Sequence, residues 1–210
     1  MLKRITEMKD EKLKEISRKI GHAFYTFPYS KPNKGMTDSL DEIQFSMLIY
    51  GQMKAALLSG TLYTFENKGY MILSTPQTKS KFKADFIQAY WMFRAFGVLG
   101  YFLQASKLFQ AGPFLTEQMT FMHKPFVLVE MIAVLKEFQH QKVMSRMMEY
   151  AIEQSEKERI PCILSTDDPK KVEIYKHFGF SVHGVYVISM NYVHYDMIRR
   201  ETNENKESEN

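Results

Sequence analysis

Glu130 is a lone carboxylate in an otherwise apolar run, Phe126-Val-Leu-Val-Glu-Met-Ile-Ala-Val134. A charge among such neighbours is costly unless it is paired or used. A carboxylate placed there could take a proton from a nucleophile, directly or through water; the plainer reading is an ion pair or a solvated face. Tyr175 stands in Ile174-Tyr-Lys-His-Phe-Gly-Phe180. A phenol titrates near pH ~10, so it stays protonated at neutral pH and can donate a proton; its plainer reading is a ring that anchors a helix in the core. Between the two lies Gln139-His-Gln-Lys-Val-Met-Ser145, which leads into an amphipathic helix. A helix N-terminus carries unpaired N–H groups and a partial positive charge, which suits a pyrophosphate. Lys142 would add a charge and Ser145 a hydroxyl.

These groups need a scaffold. Leu13, Ile16, Ile20 and Ala23 share one face of a helix over 11–27. Ser39 and Glu42 have capping-box spacing before a second helix that runs to about Ser59. Thr61–Phe65 and Tyr70–Thr75 are strand-like, with a hairpin loop at Glu66-Asn-Lys-Gly69. Residues 82–108 are strongly helical in pattern, Ala111-Gly-Pro113 ends them, and a shorter helix fits 114–121. Then follow the Phe126–Val134 strand, a helix from Val143 to Lys157, a strand at Cys162–Ser165, a short helix at Lys170–His177 and two antiparallel strands, Phe180–Ser189 and Tyr192–Ile198. Asp167-Asp168 reads as a helix cap. The alternation of strands and helices predicts an α/β (α+β) sheet with helices on its faces. The expected organisation is one domain over 1–200 with a disordered acidic tail, 201–210.

Composition excludes several classes. A net charge of +4, with no dense Lys/Arg stripe, argues against nucleic acid. Cys162 is the single cysteine, so no internal disulfide forms and a reducing, cytoplasmic setting fits. Met1–Asp10 lacks the apolar core of a signal peptide. The apolar stretch 86–103 contains Arg94, which disfavours a membrane span. The six histidines show no zinc-like spacing, and no metal is expected.

The 126–180 segment resembles the core of the GNAT acyl-CoA N-acyltransferase superfamily. Val134 ends the strand, Gln139 takes the Gln/Arg position, Ser145 lies at the helix start, and Ile174-Tyr-Lys-His-Phe-Gly-Phe180 matches the second motif. The helical insertion at 82–121 is also similar to that of many small-molecule-acetylating members. The resemblance implies a GNAT-like mixed central sheet and acetyl-CoA as co-substrate. Gln139, His140, Gln141, Lys142, Val143, Met144 and Ser145 would hold its pyrophosphate. The backbone of Ile132, Ala133 and Val134 would hold the pantetheine arm. The same resemblance implies Tyr175 as general acid, Glu130 as base, and an oxyanion donor near Met131 or Ile132. The chain departs from the pattern at both loop glycines, which are Lys142 and Met144, and at Lys136, Ser165 and Lys171.

The reading is an N-acetyltransferase acting on the primary amine of a small molecule, with no nucleic-acid or membrane partner and with a homodimer left open. Phe24, Tyr25, Phe27, Tyr29, Tyr90, Trp91 and Phe96 are candidates for an aromatic acceptor wall, which would favour an amine of apolar character. The alternatives are a non-catalytic GNAT-fold binder of acyl-CoA or another ligand, and an interaction module that docks a partner through 86–103.

Overall fold

In the computed structural model, residues 1–26, 40–78, 82–189 and 192–200 are described. Phe27, Tyr29, Ser39 and the 201–210 tail lie outside them. The elements are β1 (Leu2–Arg4), α1 (Asp10–Tyr25), α2 (Glu42–Ser59), β2 (Leu62–Phe65), β3 (Gly69–Ser74), α3 (Phe82–Ala111), α4 (Leu115–Phe121), β4 (Val127–Val134), α5 (Val143–Glu158), β5 (Cys162–Thr166), α6 (Pro169–His177), β6 (Ser181–Ser189) and β7 (Tyr192–Arg199). The strands form one seven-stranded sheet in the order β1-β2-β3-β4-β5-β7-β6. Only β4 and β5 pair in parallel; every other neighbouring pair is antiparallel. The expected mixed α/β architecture is therefore present, and β1 is the one strand that the sequence pattern did not single out.

Local chemistry explains most boundaries. The Asp41 carboxylate caps α2 by accepting from Gln44 N–H at 2.7 Å, and the Gln44 side chain accepts from Asp41 N–H at 2.9 Å. The helix starts at Glu42 and its capping box is Asp41 with Gln44, a different pair from the expected Ser39 and Glu42. Asp168 caps α6 by accepting from Lys170 N–H at 2.9 Å, with Pro169 as the first helical residue. The β2–β3 hairpin turns through Glu66 and Asn67, both at positive φ, and closes with Lys68 N–H donating to Phe65 C=O at 2.8 Å.

Two apolar layers sandwich the sheet. On one face α5 packs Val143, Met147, Met148 and Ala151 onto Met71, Leu73, Val127, Val129, Leu164 and Met197. On the other, α1 and α2 cover Leu62, Tyr70, Ile72, Met131 and Ala133, while α4 covers Ile163 and Ile198 through Leu115 and Met119. Helix α3 lies against α2, and a Cβ at Gly51 would stand 2.5 Å from Trp91 Cβ, so glycine is what lets the two backbones approach. Gly97, at φ 69° and ψ 170°, breaks α3 into two helical pieces. Beyond and before this break Phe86, Tyr90, Val98, Leu99, Phe102 and Leu103 are exposed. Among the described residues no helix is long and apolar enough to cross a membrane.

Candidate active site

The register of β4 creates an opening in the sheet. Pairing with β5 stops at Val129↔Leu164, although β4 continues to Val134 and β5 to Thr166. Among the described residues the edge of β4 from Glu130 onward therefore faces no strand on that side, while its other edge stays paired to β3. The backbone of Ile132, Ala133 and Val134 lies on this free edge, where an extended amide chain could add as a strand does.

Glu130 sits at the start of the opening. The β3–β4 register runs Leu73↔Val129 and then Ile72↔Met131, so Glu130 is the extra residue of a β-bulge. The bulge also exchanges the faces of the strand. Val127 and Val129 pack under α5, whereas Met131 and Ala133 pack under α1 and α2. The Glu130 carboxylate points to the α2/α3 side and accepts from Ser74 Oγ–H at 2.5 Å. Glu130 is solvent-exposed and lines a pocket of about 200 Å³ with Gln52, Ser59, Ser74, Asp85 and Gln88, among others. Desolvation by the surrounding protein raises its proton affinity above the usual carboxyl range, and the Ser74 bond opposes that shift without cancelling it. No ion pair holds Glu130 among the described residues.

Tyr175 lies on α6, which follows the C-terminal end of β5, and packs on the α5 side of the sheet against Phe180 at 6.3 Å between ring centroids. Burial, helped by the Asp168 and Asp167 charges, pushes its phenol up to about 12, so it stays protonated across the physiological range. Glu130 and Tyr175 thus face opposite sides of the sheet and do not touch.

The segment after β4 forms the third part. A 3-10 turn over Lys136–Phe138 leads through Gln139 into α5. His140 (φ 63°) and Lys142 (φ 58°) both adopt the left-handed conformation that glycine occupies most readily. Lys142 is the N-cap of α5, and Arg146 N–H donates to its carbonyl at 3.1 Å. The amides of Val143, Met144 and Ser145 precede the first closed turn of the helix and remain available at its end. His140, Gln141 and Lys142 are exposed there, Ser145 is half-buried, and Gln141 Nε2 donates to Glu137 C=O at 3.2 Å. Met144 is already helical and needs no special backbone, whereas Lys142 keeps the glycine-like turn at some conformational cost.

The aromatic residues do not gather beside Glu130. Trp91 packs edge-on against Tyr50 at 4.8 Å, Tyr90 is exposed, and Phe24 receives the Lys171 ammonium over its ring at 5.5 Å. The lining next to Glu130 is instead polar and alanine-rich. A second group, not foreseen from sequence, lies two strands away. Asp196 on β7 is 1% exposed and accepts from Leu115 N–H at 2.6 Å and from His194 Nε2 at 3.0 Å. Nothing in the β7 sequence, Tyr192-Val-His-Tyr-Asp-Met-Ile-Arg199, marked it in advance. Cys162 is buried, its thiol pushed up to about 12, which makes it a poor nucleophile. Among the described residues no group of three or more His, Cys, Asp or Glu is placed to hold a metal ion.

Residues 87–180 match the model of the acetyltransferase (GNAT) family. No curated protein matches the chain. Among solved structures the chain is similar to a histone acetyltransferase HPA2 and related acetyltransferase from Corynebacterium glutamicum, at 11% identity and TM-score 0.61 over 96% of each chain. It is also similar to an N-acetyltransferase from Staphylococcus aureus Mu50, at 12% identity and TM-score 0.51 over 94% of this chain and 99% of the other. A chain of the NatC complex bound to Gag peptide and CoA matches at 12% identity and TM-score 0.50, over 96% and 98% of the two chains. At such identities the structural likeness is one of fold. The matched segment, the parallel β4–β5 pair that opens after Val129 and the α5 N-terminus beside it give the chain a GNAT-like acetyltransferase fold.

Proposed function

We propose that the protein transfers an acetyl group from acetyl-CoA to the primary amine of a small molecule, by direct attack in a ternary complex. The observation that carries this reading is the bulged, pocket-facing Glu130 at the point where β4 and β5 part. The pyrophosphate sits against the amides of Val143, Met144 and Ser145, with Lys142 supplying charge and Gln139, His140 and Gln141 completing the loop. The pantetheine arm pairs with the free edge at Ile132, Ala133 and Val134.

Glu130 takes a proton from the acceptor ammonium, and its raised proton affinity suits that role. The freed amine attacks the thioester carbonyl, and a β4 backbone N–H near Met131 or Ile132 stabilises the oxyanion. As the C–S bond breaks, Tyr175 donates its proton to the departing thiolate, and the proton that the attacking nitrogen then loses restores the phenol by way of solvent.

Calorimetric titration of acetyl-CoA tests the cofactor site. Micromolar binding that Lys142→Glu weakens is expected, and no binding at millimolar concentration would remove the enzymatic reading. Tyr175→Phe is expected to lower turnover roughly 10²-fold while leaving acetyl-CoA affinity nearly intact; unchanged turnover would exclude Tyr175 from the mechanism. The exposed apolar side chains Val98, Leu99, Phe102 and Leu103 favour a second role, docking of a partner through α3. Sedimentation of the isolated protein, with and without Leu99→Glu and Phe102→Glu, reports self-association through that face.

A further inference from the structure

The pocket beside Glu130 has a composition that selects among amines. It holds about 200 Å³, below the usual range of pockets for drug-sized ligands. Two carboxyl-bearing residues, Glu130 and Asp85, line it with Gln52, Gln88, Ser59 and Ser74. No Lys, Arg or His and no aromatic side chain lines it among the described residues. The apolar part of the lining is alanine only. Among the described residues an aromatic-lined cavity lies elsewhere, about 310 Å³ between Lys14, Arg18, Met47, Tyr50 and Trp91.

We infer that the acceptor is a compact, polar cation: an ammonium that carries hydroxyls or a second amine, and that has neither a carboxylate nor an aromatic group. This rests on the acetyl-transfer reading above and narrows it. An ammonium reaching Glu130 meets a carboxylate that, among the described residues, accepts one hydrogen bond, from Ser74, so acceptor positions on the carboxylate remain for the substrate. Oxygen or nitrogen substituents on the acceptor find the Gln52 and Gln88 amides and the Ser59 hydroxyl. A substrate carboxylate would meet Glu130 and Asp85 with no facing cation among the residues that line the pocket, and like charges there disfavour it. A ring would displace water from polar groups without replacing their hydrogen bonds.

Saturation-transfer NMR on the whole protein without acetyl-CoA tests the inference independently of turnover. The probes are ethanolamine, 1,4-diaminobutane and glucosamine, set against phenethylamine and β-alanine. The expected result is signal from the polar cations, at least tenfold weaker binding of the other two, and loss of the signal in Glu130→Gln. Gln88→Leu, on the half-exposed face of α3, should weaken glucosamine about tenfold while leaving acetyl-CoA affinity unchanged. Stronger binding of phenethylamine or β-alanine would overturn the inference, as would binding of none of the probes at millimolar concentration. If acetyl-CoA fails to bind while the polar cations do, the acetyl-transfer reading fails and the cation site stands.

Discussion

Two carboxylates on the same face of the sheet, Glu130 and Asp196, have opposite fates. Asp196 is more completely enclosed, and burial alone would raise its proton affinity. Donors overcome that: the His194 ring, the Leu115 amide and the Ser165 hydroxyl hold it below the usual range. Among the described residues Glu130 has one donor, Ser74, and desolvation by the surrounding protein prevails, so its carboxyl is raised. The donors also mark different jobs. Asp196 is saturated by its own chain and fastens the start of α4 to β7, with Phe114 packed on the His194 ring at 4.3 Å. Glu130 keeps acceptor positions open toward a pocket. Solvent exposure alone therefore does not set the shift of these two carboxyls; the number of protein donors that each has among the described residues also does.

The largest effect on stability should come from Asp196→Ala. It leaves the Leu115 amide and His194 without their partner, and a loss of roughly 3 kcal/mol is expected in denaturant or thermal unfolding. Because the folded carboxyl lies below its unfolded value near ~4, its stabilisation is complete above that pH and fades as pH falls further. The wild-type protein should accordingly lose stability on acidification below about pH 4, and the variant should show a shallower loss over the same window. A variant as stable as wild type would make Asp196 and Glu130 equivalent after all.

Glu130→Gln should do the reverse. We expect kcat/KM to fall roughly 10²- to 10⁴-fold with no loss of unfolding temperature. The sign follows from the raised folded value: the charged form of Glu130 opposes folding once pH rises through it, so the neutral amide should be equal or slightly stabilising at pH 7. The wild-type pH profile should have an acid limb above the ordinary carboxyl range, and that limb should vanish in the variant. A destabilised Glu130→Gln protein with a normal pH profile would break the contrast. The smallest effect is that of Ser74→Ala. Removing the one donor should move the acid limb upward by up to about one pH unit, the worth of one hydrogen bond. An unmoved limb would show that Ser74 does not tune Glu130.

Much of the scaffold was legible in sequence because its causes are local. Hydrophobic period marked α1, α2, α5 and the strands, Asp168-Pro169 marked the start of α6, and the run from Val134 to Ser145 announced a helix N-terminus beside a strand. The insertion of two helices between β3 and β4 was readable for the same reason. Glu130 stood out by type alone, as a charge in an apolar run.

What tertiary structure decided depends on partners that are distant in the chain. The bulge at Glu130 exists only in the register of β4 with β3, and it turns the strand over, so simple alternation assigned Glu130 no definite side. The burial of Asp196 depends on Leu115, 81 positions earlier, and the kink at Gly97 is a backbone state that a glycine permits without requiring it. Lys142 and His140 hold left-handed turns that their residue types disfavour, which the closure of the loop onto α5 imposes. The chain by itself determined which segments are helix or strand and which residue types are able to react. Packing and register determined which of them open onto a pocket, because solvation and hydrogen-bond partners are properties of the assembled surface and not of the residue.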